Sequence, residues 1–413
     1  MVATSMHRTA AAATAQRRTA AAAAAPLATA VLLGAVALIS LAGPGLPAAA
    51  AETLVATEIA AVASAVRTTS ADEAAVSAFS GAKLTFSSSP SPETKGQVTL
   101  NVKAGDTVNV DLQKAWVKAR LDAVRLTIGK TRLSWGEGAL FNAGNVIFGD
   151  TAVDLSAEDL RDDNAWLAAA NLPLGDFSFL EAVVLPPVLS AEGGGPENSS
   201  FGGRAYTRLG GVKMEAGYLR SGESVDRAVP AAHEPYFSLQ GNAWADWHLS
   251  SSASVRGTAL APSAEDWTIS SGLYRQWSVP AADDGSGDSV LGTFALRLEA
   301  SIRPDGSWTA ETIQAAPAGP TALAGGATSL DSPYALLLYP ELSWRADTVL
   351  LLARSLVSPM DLSALSAVSV QWAPLEGLRL IGSVAVQSGQ ADDLFSWDRP
   401  GAWQATVVSR FSF

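Results

Sequence analysis

Six cations and a run of acids set the chemistry open to this chain. Lys114, Lys118, Arg120, Arg125, Lys130 and Arg132 fall within one short stretch that also holds Asn109 and Asp111. Apolar residues alternate with them. Val108, Val110 and Leu112 share one parity, and after Gln113-Lys114 the apolar parity slips to Ala115, Val117, Ala119 and Leu121. A one-residue slip is what a β-bulge produces. Beyond Asp122-Ala123 the apolar positions are Val124, Leu126 and Ile128, and after Gly129 they move to Leu133 and Trp135, so a second bulge is expected at Gly129. With both bulges the six cations share one face, and Arg120 stands opposite Arg125. A Lys or Arg facing lipid at mid-bilayer costs ~2–4 kcal/mol. The face therefore belongs in water, as a wall that biases solutes or as one that is merely solvated.

The next segment is opposite in sign. Glu137, Asp150, Asp154, Glu158, Asp159, Asp162 and Asp163 follow, with Arg161 the one base among them. Folded inward, this acidic arm would face the basic wall and set up a transverse field across an aqueous lumen. Folded outward, it would be a solvated loop or a weak divalent-cation cluster. Its carboxylates lack the spacing of a calcium loop, so no metal site is expected.

Other catalytic chemistry is sparse. There is no cysteine, so thiol catalysis, Cys-ligated metal and disulfides are excluded. Beyond His7 the histidines are His233 and His248, and no serine sits in a nucleophile elbow. Both read as structural. No phosphate-cradling glycine loop or dinucleotide fingerprint occurs, so no catalytic residue and no cofactor is expected.

The elements that must hold the two charged faces come from the pattern of the whole chain. Arg8, Arg17 and Arg18 precede an apolar run from Leu27 to Leu41, followed by small residues up to Glu52. This predicts a cleaved export signal over 1–51, the run being short of the ~20 residues a spanning helix needs. Formal charge is −12, and removing three Arg and no acid gives 25 − 40 = −15. That balance disfavours nucleic acid. Residues 52–95, rich in Ala, Ser, Thr and Val, read as a lead-in, partly disordered or a short helix.

From residue 96 to 413 apolar and polar residues alternate, as strands do. Phe294, Leu296, Leu298, Ala300 and Ile302 alternate with Ala295, Arg297, Glu299 and Ser301. Tyr334, Leu336, Leu338, Leu342 and Trp344 form a face with aromatics at both ends, as interface girdles require. Val212, Met214, Ala216 and Tyr218 alternate with Lys213 and Glu215, and Val368, Val370 and Trp372 with Ser369 and Gln371. Read back from Phe413, the connections alternate long and short, with 281–289 out of phase. At ~10 residues per strand this predicts an all-β transmembrane antiparallel barrel of about 16 strands (14–16), with short periplasmic turns and long extracellular loops.

Two segments carry a resemblance. The run Leu126-Thr-Ile-Gly-Lys-Thr-Arg-Leu-Ser-Trp-Gly-Glu-Gly138, then Phe141-Asn-Ala-Gly-Asn-Val146, resembles a signature of bacterial outer-membrane porin-like barrels. Its positions here are Gly129, Trp135, Gly136, Glu137 and Asn142. Family members often have Pro after the Asn, where this chain has Ala143. The strand ending in Phe411 and Phe413 resembles the closing strand that barrel-assembly machinery reads. The resemblance implies an outer-membrane location, lipid surroundings, possible homo-oligomers and a passive channel for small polar solutes, not an enzyme. It names no substrate. A plugged barrel acting as adhesin or structural protein, or a hydrolase using His233 or His248, are the competing readings.

Overall fold

The computed structural model describes residues 53–67, 74–105, 107–148, 153–155, 160, 164–187, 198–222, 231–256, 262–280, 290–310, 327–328, 332–399 and 401–413. The expected export signal lies outside them. Strands β1 (Thr53–Arg67), β2 (Ala74–Ser91), β3 (Thr94–Ala104), β4 (Val108–Leu121), β5 (Val124–Thr131) and β6 (Ala165–Pro173) come first. Strands β7 (Ser178–Leu185), β8 (Ser200–Leu209), β9 (Val212–Ser221), β10 (Ala232–Asn242), β11 (Asp246–Ala253) and β12 (Trp267–Pro280) follow. The last are β13 (Val290–Ile302), β14 (Leu336–Arg345), β15 (Val349–Ser358), β16 (Ser363–Leu375), β17 (Leu378–Gln387) and β18 (Trp403–Ser412). A short continuation of β11, Val255–Arg256, also pairs with β10.

Each strand pairs antiparallel with its sequence neighbours, and β1 pairs with β18, so the sheet closes on itself. Backbone bonds between Thr57 and Phe413, at 2.9 and 3.0 Å, complete the seam. Closure removes the unpaired edges that an open sheet would present. The barrel has 18 strands, a correction to the expected 16 or so. The difference lies in 52–95. That segment is no lead-in: β1 and β2 pair over their full length, from Thr53↔Ser88 to Arg67↔Ala74. Alanine, a weak strand former, recurs on both faces of these strands and hides the alternation.

The turns 92–93, 122–123, 174–177, 210–211, 243–245, 346–348 and 376–377 lie at one end with both ends of the described chain. The described parts of the long connections 132–164, 186–199, 303–335 and 388–402 lie at the other. Ile59, Val184, Leu249, Leu273, Leu298, Leu342, Val370 and Val407 point outward and are exposed. Such a belt of outward aliphatic residues is the surface of a transmembrane barrel. Trp277, Phe294, Trp344 and Trp372 edge the belt toward the short turns, Trp277 pairing with Phe294 and Phe294 with Trp344. Tyr334, expected at the opposite rim, is instead buried in the loop before β14, bridged to Ser307.

The interior is not empty. One apolar cluster joins Trp135 of the 132–164 connection to Leu167, Val183, Leu219 and Tyr236 of the wall. A second joins Leu140, Phe141, Leu155 and Leu160 to Leu337, Tyr339, Leu356 and Leu365 of the wall, and to Phe395 from the 388–402 connection. Two connections therefore fold into the barrel and meet.

Candidate functional site

The first described part of the 132–164 connection, residues 132–148, forms a strap across the lumen. It leaves β5 and is tied down by carboxylates on the wall. Trp135 is fully buried, and its indole N–H donates to Glu181 Oε1 of β7 at 2.8 Å. The next amide, Gly136 N, donates to Glu215 Oε2 of β9 at 2.9 Å. Between them Arg204 of β8 pairs with Glu181 at 2.9 Å and Glu215 at 3.1 Å, and Tyr236 of β10 stacks on Trp135 at 5.6 Å. The two carboxylates are thus bonded from both sides, by the wall cation and by the strap. A buried charge needs that degree of satisfaction to be tolerated.

Farther along, the strap reaches β12 and β13. The amides of Ala139, Leu140 and Phe141 all donate to the Glu299 carboxylate of β13, at 2.8, 2.9 and 2.8 Å. Ala143 N donates to Ser270 Oγ of β12 at 2.9 Å. Leu155 O accepts from Arg354 of β15, which pairs with Glu341 of β14 at 2.8 Å.

The motif residues shape the strap rather than the pore surface. Asn142 Nδ2 donates to Trp135 O at 2.9 Å, and its Oδ1 accepts from Gly144 N at 3.0 Å. Gly136 has φ 67°, and a Cβ there would lie 2.5 Å from Asn142 Oδ1 and 2.7 Å from Gly144 Cα. Only glycine permits that crossing. Glu137 is partly buried. Desolvation pushes its carboxyl above the ordinary range, against the Lys213 ammonium at 3.9 Å.

The basic wall is only partly as expected. The bulge at Gln113 is present: β3–β4 register jumps from Thr99↔Lys114 to Leu100↔Leu112. Lys114, Lys118 and Arg120 consequently share the inward face with Thr99 and Gln97, and Arg120 stands opposite Arg125. Lys118 lies 4.9 Å over the Trp116 ring. At Gly129 no slip occurs. Trp116↔Gly129 and Ala115↔Lys130 run in unbroken register, which sets Lys130 on the parity of Ile128. That corrects the second bulge. Gly129 is glycine for another reason: with φ 128°, a Cβ would sit 2.0 Å from Ala115 O. Lys130 bonds instead to Leu112 O at 2.6 Å, beside Asp111 at 3.9 Å. Arg132 follows β5 at the root of the strap.

The sequence reading missed inward cations on neighbouring strands. Lys83 pairs with Glu58 and Asn101, Lys95 with Lys118, Lys103 with Asn109, and Arg379 with Arg410. The signal for Lys83 and Lys95 was within reach once 52–95 is read as strands. Of the acids, Asp150, Glu158, Asp159, Asp162 and Asp163 lie outside the described residues, while Asp154 lies in Val153–Asp154, whose backbone pairs with Ala327–Thr328. In the described part the carboxylates that organise the strap belong to the wall, and the strap's ties run to β7, β9, β12 and β13 rather than to the basic face.

The two histidines lie on separate strands, His233 on β10 and His248 on β11. His233 Nδ1 bonds Tyr218 Oη at 2.6 Å, and His248 lies beneath the strap by Gly138 and Gly272. Among the described residues neither hydrogen-bonds a serine, and no group of acids and histidines could hold a metal. Phe411 and Phe413 pack together at 5.5 Å, exposed at the seam.

No family model and no curated protein matches the chain. Solved structures do share its fold. Acinetobacter baumannii OccAB3 superposes with a TM-score of 0.52 at 9% identity, over 88% of this chain and 99% of that one. Pseudomonas aeruginosa OccD3 (OpdP) gives 0.51 at 9% identity, over 91% and 95%. Pseudomonas aeruginosa OccK9 (OpdG) gives 0.51 at 11% identity, over 88% and 98%.

Proposed function

We propose that the chain is a porin-like channel of a bacterial outer membrane, passing small hydrophilic solutes by passive or facilitated diffusion. The observation that carries this is the asymmetry of the lumen. One sector, from β17 through β1 to β5, presents Lys83, Lys95, Lys114, Lys118, Arg120, Arg125, Arg379 and Arg410 inward. The strap is tied to the other sector. Water beside a cationic wall passes anions more readily than cations. The C-terminal strand with Phe411 and Phe413 is read as the segment that the assembly machinery engages.

The test is current through the refolded barrel in a planar bilayer, with Arg120→Glu and Arg125→Glu combined. The wild type should show steady ohmic steps and an anion preference. The double variant should move the reversal potential toward cations, and an unmoved potential refutes the role given to this wall.

A plugged barrel with an adhesive or structural role is favoured by one observation. Leu140, Phe141, Leu155 and Phe395 form an apolar contact between two inward connections. A folded protein that leaves the bilayer tight would support it.

A further inference from the structure

The outer wall carries one feature that solute passage does not use. On β12, Leu273 and Trp277 face outward, and Arg275 lies between them on the same parity, opposite the outward-facing Leu296. Its guanidinium sits 5.6 Å over the Trp244 ring and 5.3 Å over the Trp277 ring. Trp244 belongs to the 243–245 turn and is 68% exposed, while Trp277 is 37% exposed. Asp246 pairs with Tyr274, so Arg275 is level with that turn, near the short-turn end of the wall and beside the girdle residue Trp277. The surround is aromatic and flat. The Trp247 ring covers Gly241, where a Cβ would lie 2.4 Å from it, and the Trp344 ring covers Gly292 at 2.6 Å.

An arginine on a lipid-facing wall needs a counter-charge, because burial of an unpaired cation is costly. Among the described residues Arg275 makes no ion pair; its contacts are the two indole faces. Those faces attract the guanidinium by cation–π interaction, which uses none of its N–H donors as hydrogen bonds. The edge those donors form matches two oxygens of a phosphodiester. The barrel wall separates it from the lumen, so the solute passing through cannot supply the anion.

We propose that Arg275, clasped by Trp244 and Trp277, binds the phosphodiester of an anionic phospholipid in the leaflet that meets the short turns. This rests on the transmembrane reading of the barrel, with its short turns on the phospholipid side. The indoles pack on the glycerol and upper acyl carbons, and the guanidinium neutralises the phosphate.

The experiment is tryptophan quenching in micelles by phosphatidylglycerol with brominated acyl chains, against phosphatidylcholine labelled likewise. The wild type should take phosphatidylglycerol about ten-fold more tightly than phosphatidylcholine. Arg275→Gln should bring the ratio to about one, and Arg275→Lys should keep part of it. Heat-modifiable migration on a gel checks that each variant is folded. Equal quenching by the two lipids in the wild type, or an undiminished preference in folded Arg275→Gln, would overturn the site. Because the readout is headgroup preference, a non-conducting wild type would sink the channel and not the lipid site.

Discussion

Glu299 carries more of the strap than any other side chain. Its carboxylate accepts three amide protons and lies 3.9 Å from Arg297. Glu299→Gln replaces one acceptor oxygen by a donor that faces donors. Hydrogen bonds to charged groups are worth about 1.5–3 kcal/mol, so a loss of about 2 kcal/mol is expected, read from the urea midpoint in micelles. Open-channel noise should rise as the strap loosens, and unchanged noise would show that the strap does not border the conducting path. Asp361, in the turn before β16, is tied differently. Desolvation pushes its carboxyl up, but bonds from Leu394 N, Ser358 and Ser363 outweigh that and hold it below the ordinary range. A depressed folded value contributes stability above the unfolded value of ~3.9 and loses it as pH falls through the folded one. The Leu394 amide should therefore lose exchange protection below about pH 3.9, and Asp361→Asn should remove that acid step. Trp135, Gly136 and Asn142 could be singled out because the family resemblance rests on one local run of sequence. Glu181, Glu215 and Glu299 could not, for each is a single acid on a different strand. Their convergence is a property of closure, which no linear pattern displays.

At the scale of elements, β1 and β2 close the cylinder. Deleting residues 53–91 would leave β3 and β18 with unpaired edges on a membrane-spanning sheet. Unsatisfied backbone groups cannot be borne in hydrocarbon, so the truncated chain should give no compact heat-modifiable band in micelles. A compact band would mean that β3 and β18 can pair directly. Strands with large outward residues, such as β13 and β16, were plain in the sequence because leucine, valine and tryptophan mark one parity. The Gln113 bulge was plain for the same reason. The expected bulge at Gly129 failed because a glycine beside a parity change has a second cause: β5 ends at Thr131, and Leu133 and Trp135 already belong to the strap. A change of element looks like a change of register when only the letters are seen.

For the whole molecule, charge distribution outweighs net charge. The chain is acidic overall, yet the sector of its barrel from β17 through β1 to β5 turns lysine and arginine inward. The anion preference proposed for it should be strongest at low ionic strength, since the screening length falls from ~30 Å at 0.01 M to ~3 Å at 1 M. Reversal potentials in salt gradients at both limits check this, and a preference that does not weaken with salt would count against long-range steering by the wall. The all-β class was legible from alternation and from the phase of loop lengths, which together imply a cylinder with unlike ends. The strap has a consequence of another kind. Its far tether at Ala139, Leu140 and Phe141 uses main-chain nitrogens, which every amino acid except proline supplies. At Ala139, whose side chain is only partly buried, the lettering can therefore change while the knot stays tied, whereas Leu140 and Phe141 are held to apolar letters by the cluster they fill.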